Sequence, residues 1–143
     1  MKNILVGIDF HEKAGYLVDK AYEWTRAHDA RFWLLHVAAP EPDFVGYEVG
    51  PEYIRDFRAK ELRNEHKLLT DFVHKLKEKG AEADGLLIPG NTIDVVIAET
   101  KKLNIDLIIF GHHEHSLLYK MFFGSHATSI VQRSKIPVLV VPF

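Results

Sequence analysis

The sequence predicts a doubly wound α/β sandwich on a five-stranded parallel sheet, and three observations carry that reading. Five short apolar runs, rich in β-branched residues, recur along the 143-residue chain. They are almost continuously apolar rather than alternating, as expected of parallel strands covered on both faces. The segments between them place apolar residues at helical spacing, giving a βαβαβαβαβ order with no linker, repeat or low-complexity stretch. The length suits one domain, residues 1–143, with a core that needs no covalent staple.

The first strand reads Asn3–Ile8, and Ala14, Leu17, Val18, Ala21 and Trp24 follow it at helical spacing. The second strand is Phe32–Ala38. After it comes an irregular stretch, Ala39–Pro51, carrying Pro40, Pro42, Gly46, Gly50 and Pro51. A loop of that length in a compact domain is usually functional or mobile. It leaves the carboxyl end of a strand, so it reads either as a lid over the ligand cleft or as a connector wrapping the helix edge. Ile54, Leu62, Leu69, Phe72, Val73 and Leu76 form the second helical stripe, which Lys79-Gly80 ends with a C-terminal glycine signal.

The third strand is Ala83–Ile88. Pro89-Gly90-Asn91 opens the third helix, with Asn91 or Thr92 as its N-cap and Gly90 placed to line the cleft. Ile93, Val96, Ile97, Thr100 and Leu103 make its stripe. Asp106–Phe110 is the fourth strand, Ala127, Ile130 and Val131 begin the fourth helix, and Pro137–Val141 is the last strand.

Composition excludes several classes of function. Hydrophobic residues make up 47% and charged residues 27%, the balance of a soluble globular protein. A net charge of −2 gives no electrostatic case for nucleic acid, and Lys75–Lys79 reads as a solvated helix face mixed with Glu78. No apolar run is long enough for a membrane span, and Met1-Lys-Asn leads straight into a strand, so a cytoplasmic protein is expected. With no cysteine there is no disulfide, thiolate metal site or cysteine nucleophile.

In such a fold the ligand crevice lies outside the carboxyl ends of the strands. Three segments should meet there: Gly7-Ile-Asp9-Phe-His11, His36-Val37-Ala38, and the loop that begins at Gly111. Asp9 closes an apolar strand just before a helix. There it can accept a hydrogen bond from a sugar hydroxyl or base amine, or cap the helix. Gly111 stands at a strand end, and Gly124-Ser125 opens a helix. Free N–H groups and the dipole at a helix N-terminus suit phosphate, a glycine permits close approach, and the Ser125 hydroxyl can reach a phosphate oxygen. The loop between these ends carries His112, His113, Glu114 and His115, where a phosphate cradle prefers glycine.

On these residues the chain resembles the universal stress protein family over essentially its whole length. That family's nucleotide signature is a strand-end Gly, two residues, Gly, nine residues, then Gly-Ser/Thr. Gly111, two residues, Glu114, nine residues and Gly124-Ser125 reproduce the spacing with one substitution. The finish Ser134-Lys-Ile-Pro-Val-Leu-Val-Val-Pro142 and the strand Leu34-Leu-His-Val37 are similar to family hallmarks. The resemblance implies a Rossmann-like, adenine nucleotide alpha hydrolase-like fold and a regulatory stress-response role. It also implies ATP, with or without Mg²⁺, as the bound nucleotide. Asp9 and the backbone around Val37 would hold the nucleoside, and Gly111, Gly124 and Ser125 the ribose and phosphates. No catalytic residues are implied, and at most slow ATP hydrolysis.

Two departures set an alternative beside that reading. Glu114 replaces the second glycine, and Phe10-His11 replaces a smaller pair. The family includes a branch that lacks the full glycine loop and does not bind ATP, and Gly111-His-His resembles that branch. A carboxylate about 4 Å from a phosphate charge costs about 4 kcal/mol at an effective dielectric near 20. Pairing with Lys120, or with histidines 11, 112, 113, 115 and 126 when protonated, would reduce that cost. The alternative is therefore a stress-response dimer acting through protein contacts.

A third reading takes His112, His113, Glu114 and His115 as metal ligands, with His11 or His126 completing the set. The spacing is not a standard one, and a polar loop with exposed histidines competes with it. Ser125 beside His126 makes no triad. His28, His66 and His74 read as surface or helix-end residues. In the expected strand order 3-2-1-4-5 the last strand is an edge. Leaving Val138, Leu139, Val140 and Val141 open there invites pairing with a second copy, so a homodimer through the C-terminal strand is expected, as the resemblance also implies.

Overall fold

The structure is a computed structural model describing residues 1–10, 12–39, 52–112 and 130–142, and for residues 52–54, 130 and 131 the backbone alone. In chain order the elements are β1 (Asn3–Gly7), α1 (Ala14–Thr25), β2 (Arg31–Ala38), α2 (Glu52–Glu78) and β3 (Ala83–Pro89). They continue with α3 (Thr92–Lys102), β4 (Leu107–His112), α4 (Ile130–Ser134) and β5 (Val138–Pro142). All five strands pair in parallel in the order β3-β2-β1-β4-β5, the order expected from the sequence.

Strand alternation divides the core into two layers. Ile4, Val6 and Ile8 point to one face with Phe32 and Leu34, where Ala14, Leu17, Val18 and Ala21 of α1 and Leu69, Val73 and Leu76 of α2 cover them. Leu5 and Leu35 point to the other face with Ile108 and Phe110, beneath Val96 and Ile97 of α3. The near-continuous apolar strands are thus accounted for, because successive side chains serve opposite layers.

Element bounds shift by one or two residues from the sequence reading, and some differences have local reasons. β4 runs on through Gly111 and His112, because those residues pair with Val141 and Pro142 of β5. β3 continues to Pro89, opposite Ala38. In α1 the inward place expected for Trp24 belongs to Thr25: Trp24 is 47% exposed and Thr25 4%. The Thr25 hydroxyl donates to the Ala21 carbonyl at 2.6 Å as α1 passes into a 3₁₀ turn, Arg26–His28. His28, His66 and His74 are exposed, as read from their helical positions.

The ends of the helices are satisfied locally. Past α2, Gly80 at φ 86° closes a Schellman turn in which Ala81 N–H donates to Leu76 O at 3.1 Å and Gly80 N–H to Lys77 O at 2.9 Å. Past α3, Asn104 at φ 51° does the same, with Ile105 N–H donating to Thr100 O at 3.0 Å. Asn91 is the N-cap of α3, its side-chain oxygen accepting from Asp94 N–H at 3.2 Å. No helix among the described residues is long and apolar enough to cross a membrane.

Two carboxylates tie elements together. Asp19 on α1 lies 3.0 Å from Lys75 Nζ and 2.9 Å from Lys79 Nζ on α2. Its burial works against ionisation, but hydrogen bonds from Lys79 and Lys75 outweigh it and hold the carboxyl below its usual range. Asp106, just before β4, accepts the backbone N–H groups of Lys2 at 2.7 Å and Asn3 at 2.9 Å, which fastens the start of β1 to β4. The N–H of Asn3, then that of Lys2, holds this carboxyl below its usual range.

A carboxyl lowered on folding stabilises the fold above its unfolded value of about 3.9, and that contribution is lost as pH falls through the lower folded value. Asp106→Asn should therefore lower the melting temperature at neutral pH and flatten its fall below about pH 4. Thermal melts of both proteins at stepped pH check this, and parallel pH profiles would contradict it.

Candidate functional site

The crossovers position the site. α1 and α2 lie on one face of the sheet and α3 on the other. The chain therefore changes faces between the halves that begin at β1 and β4, and β1 and β4 are neighbours in the sheet. A crevice opens at the carboxyl end of strands where the winding reverses in this way.

A cavity of about 150 Å³ occupies that position on the α3 face. Leu5, Leu35, Val96, Ile108 and Phe110 give it apolar walls, and Thr92, at the start of α3, closes one side. Gly7, Ile8, Asp9, His36 and Val37 form the side nearest the carboxyl ends of β1 and β2. An apolar cavity of this size admits a flat ring of about the size of benzene. It is on the scale of one small ring system, and a larger ligand would extend beyond it.

Asp9 lines the cavity and is half-buried. The N-cap position of α1 belongs to Lys13, which makes no side-chain cap bond, so Asp9 is not the helix cap that the sequence also allowed. Phe10, at φ 56°, turns the chain out of the sheet at this point, a conformation uncommon for a bulky residue. Backbone of that kind persists where surrounding structure holds it, often at sites of function.

Val37 reaches the cavity for a different reason. β1 ends at Gly7 opposite Leu35, and Ile8 N–H donates to Leu35 O at 2.8 Å. β2 continues to Ala38, paired only with β3 there. Alternate residues of a strand offer their backbone groups to the same neighbour, so Val37, like Leu35, points its N–H and C=O toward the β1 side. There β1 has already ended, which leaves these groups at the mouth of the cavity.

Gly90 sets the opposite rim. Its N–H donates to Ala38 O at 3.1 Å, and its φ of 146° belongs to a region that side chains rarely adopt. A Cβ built on it would meet Val95 Cγ2 at 3.2 Å.

Of the candidate residues, the structure brings Asp9 and Val37 together at the cavity. Gly111 is buried in β4, one residue beyond the lining Phe110. Gly124 and Ser125 lie outside the described residues, as do His11, His113, Glu114, His115, Lys120, His126 and the Pro40–Pro51 part of the long loop. Among the described residues no group of three metal-ligating side chains occurs. Sequence reasoning missed the contributions of Leu5, Val96 and Phe110, because core and cavity-lining positions carry the same apolar signal. It also gave His36 no role of its own.

Comparisons with known proteins agree with this geometry. The family model described as "Universal stress protein family" matches residues 1–142. A universal stress protein of Helicobacter pylori is 33% identical over 142 residues, covering 96% of this chain and 98% of that one. A solved structure from Burkholderia pseudomallei, from the same family, superposes with a TM-score of 0.72 at 19% identity, covering 99% of this chain and 96% of that one. An Arabidopsis thaliana family protein, solved with AMP bound, gives a TM-score of 0.66 at 19% identity, covering 99% and 92%. At such identities the structural likeness shows the shared fold.

Gly90→Ala should destabilise the protein by about 1–2 kcal/mol, because alanine strains at this φ and its methyl crowds Val95. Urea denaturation measures this, and an unchanged midpoint would show that the rim does not need glycine.

Proposed function

The chain belongs to the universal stress protein family, and from that footing we propose that it binds an adenine nucleotide in a regulatory role in the stress response. The observation that carries the reading is the largely apolar cavity at the winding reversal, with Asp9 and the strand-end backbone on one side and Thr92 of α3 on another. Its apolar walls suit the faces of a purine. The Val37 N–H and C=O stand where the donor and acceptor edge of a base can meet them. The Asp9 carboxylate is placed to accept a hydrogen bond from a ribose hydroxyl or base amine. The Arabidopsis relative with AMP bound supports the choice of adenine.

Ribose and phosphates would then extend past the end of β4, where His112 is followed in sequence by the segment that carries Glu114 and Gly124-Ser125. Glu114 in that segment bears on how many phosphates are tolerated. A carboxylate beside them penalises each added charge, so AMP should compete well against ATP unless Mg²⁺ or a protonated histidine offsets the charge. No side chain is assigned a catalytic step. The protein is read as cytoplasmic.

The protein is also proposed to act as a homodimer through β5. Among the described residues β5 pairs on one edge only, with β4, and it is the outer strand of the sheet. Val138, Leu139 and Val140 are half-buried there. A second copy pairing along the same strand would cover them with two-fold symmetry.

Thermal melts with and without AMP, and with and without ATP and Mg²⁺, test the binding. A nucleotide at about 100 times its Kd adds about 2.7 kcal/mol of stability and raises the melting temperature. Asp9→Ala should weaken the shift, and Val96→Phe, which fills the base cavity, should abolish it. No shift at millimolar nucleotide, with none released on denaturation, sinks the proposal in favour of the non-binding branch. For the dimer, Val140→Asp should convert the protein to a monomer in sizing experiments. A wild-type protein that elutes as a monomer contradicts that arrangement.

A further inference from the structure

Trp24 is a large apolar side chain to which the fold gives no place. It is 47% exposed on α1, and Tyr16, two turns earlier, is 45% exposed. Lys20, one turn from each, sets its Nζ 5.7 Å from the Tyr16 ring centre and 5.9 Å from that of Trp24. Glu23 Oε2 meets the same ammonium at 2.8 Å. This flank of α1 is therefore two aromatic rings joined by a cation whose charge is already balanced. Such a surface can be covered without leaving a lone charge behind.

The other residues of α1 show which way the flank looks. Ala14, Leu17, Val18 and Ala21 face the sheet. Asp19 reaches sideways to Lys75 and Lys79 of α2, and the Tyr22 hydroxyl donates to the Lys79 carbonyl at 3.0 Å. At about 100° per residue, Lys20 and Trp24 fall on the side of α1 opposite Asp19 and Tyr22. α2 lies over the β3 side of the sheet, where Gly85 faces Leu69 and Val73. The opposite flank of α1 therefore looks toward β4 and β5. Val141 and the half-buried Leu139 of β5 share the layer of α1. α4 stands with α3 on the other face, where Arg133 lies 3.5 Å from Asp94. Among the described residues, then, no helix of its own covers β5 on the α1 face.

Pairing along β5 leaves a shortfall that this flank can meet. A five-residue strand spans about 17 Å, and an edge of that length buries far less than the roughly 800 Å² each partner gives to a stable interface. α1 packs over β1 and β4. With strands about 4.8 Å apart, a two-fold beside β5 sets the two α1 helices about four spacings, or about 19 Å, from each other. Packed helices lie about 8–10 Å apart, so these backbones do not meet. Long aromatic side chains reaching in from both can close the gap above the paired strands.

We propose that the Tyr16–Lys20–Trp24 flank of α1 is the second part of a homodimer interface, with Trp24 as its anchor. In each protomer Trp24 closes over Leu139 and over the edge of the partner's β5. This rests on the homodimer proposed through β5 and names the surface that completes it. Tryptophan and tyrosine are enriched among the residues that dominate interfaces, because each buries a large area with few rotatable bonds.

The chain has two tryptophans, Trp24 and Trp33, which makes a direct test available. Trp33 is held within the chain, its Nε1 donating to Asn3 Oδ1 at 3.2 Å and its ring lying 4.5 Å from the Arg31 guanidinium carbon. In protein labelled with 5-fluorotryptophan, the Trp24 ¹⁹F signal is assigned with Trp24→Phe. It should show no solvent isotope shift between H₂O and D₂O in the wild type and gain one in Val140→Asp. An unchanged Trp33 signal reports that the fold is kept. By sedimentation equilibrium, Trp24→Ala should weaken dimerisation about tenfold or more, while leaving the melting temperature unchanged in the monomeric Val140→Asp background. A wild-type dimer whose Trp24 stays open to solvent, or whose Kd ignores Trp24→Ala, overturns the proposal and leaves the β5 pairing intact. A wild-type monomer overturns both. A Val140→Asp protein that still dimerises with Trp24 covered removes the β5 pairing and supports the α1 flank.

Discussion

β1 sits between β2 and β4, bonded in parallel on both edges, with Ile4, Leu5 and Val6 at most 1% exposed. A strand in that position must be apolar on both faces and short enough to end inside the molecule. Its neighbours outlast it: β2 continues to Ala38 past the end of β1 opposite Leu35, and β4 continues to His112 past Phe110, the partner of Gly7. The gap left by its early end becomes the cavity. Everything that gives the cavity its chemistry follows from this: the unextended ladder at Val37, the sharp corner at Phe10, and Asp9 carried out of the sheet at its rim.

Much of this was legible in the chain. Parallel strands buried on both faces must be apolar at nearly every position, so Ile4–Val6 and Ile108–Phe110 announce themselves, while the strand order was expected from the fold class and not from these runs. Asp9 was legible as a candidate from its place closing an apolar strand, although the sequence also allowed it as a helix cap, a position the structure gives to Lys13. Other features were not. Trp24 falls on the apolar stripe of α1, but the turn into the 3₁₀ segment gives its inward place to Thr25, a polar residue that satisfies its own hydroxyl. Gly111 looks like a strand end until β5 is seen to pair with it. The surroundings of His36 on β2, the carbonyl of Ile8 and the Glu65 carboxylate of α2, come from residues far apart in sequence.

The site therefore separates into two halves with different physics. In the proposed site the base half is largely apolar, and its specificity would come from a few backbone groups whose direction is fixed by where strands stop. The proposed phosphate half belongs to the sequence from Gly111 to Ser125, which sets a glycine frame against Glu114 and clustered histidines. Binding energy in the first half would be largely burial, insensitive to salt and charge. In the second half it is electrostatic, and changes with phosphate number, Mg²⁺ and pH. A protein of this kind can keep a nucleotide pocket while shifting its preference among adenine nucleotides.

The central claim is that the cavity at the end of β1 holds an adenine base. Backbone amide shifts of isotope-labelled protein titrated with AMP test it most directly. The account predicts saturable changes concentrated at Gly7–Phe10, at Val37 and Ala38, and from Gly90 to Val96, on both sides of one small pocket. Changes confined to the β5 edge, or none at millimolar AMP, would contradict it.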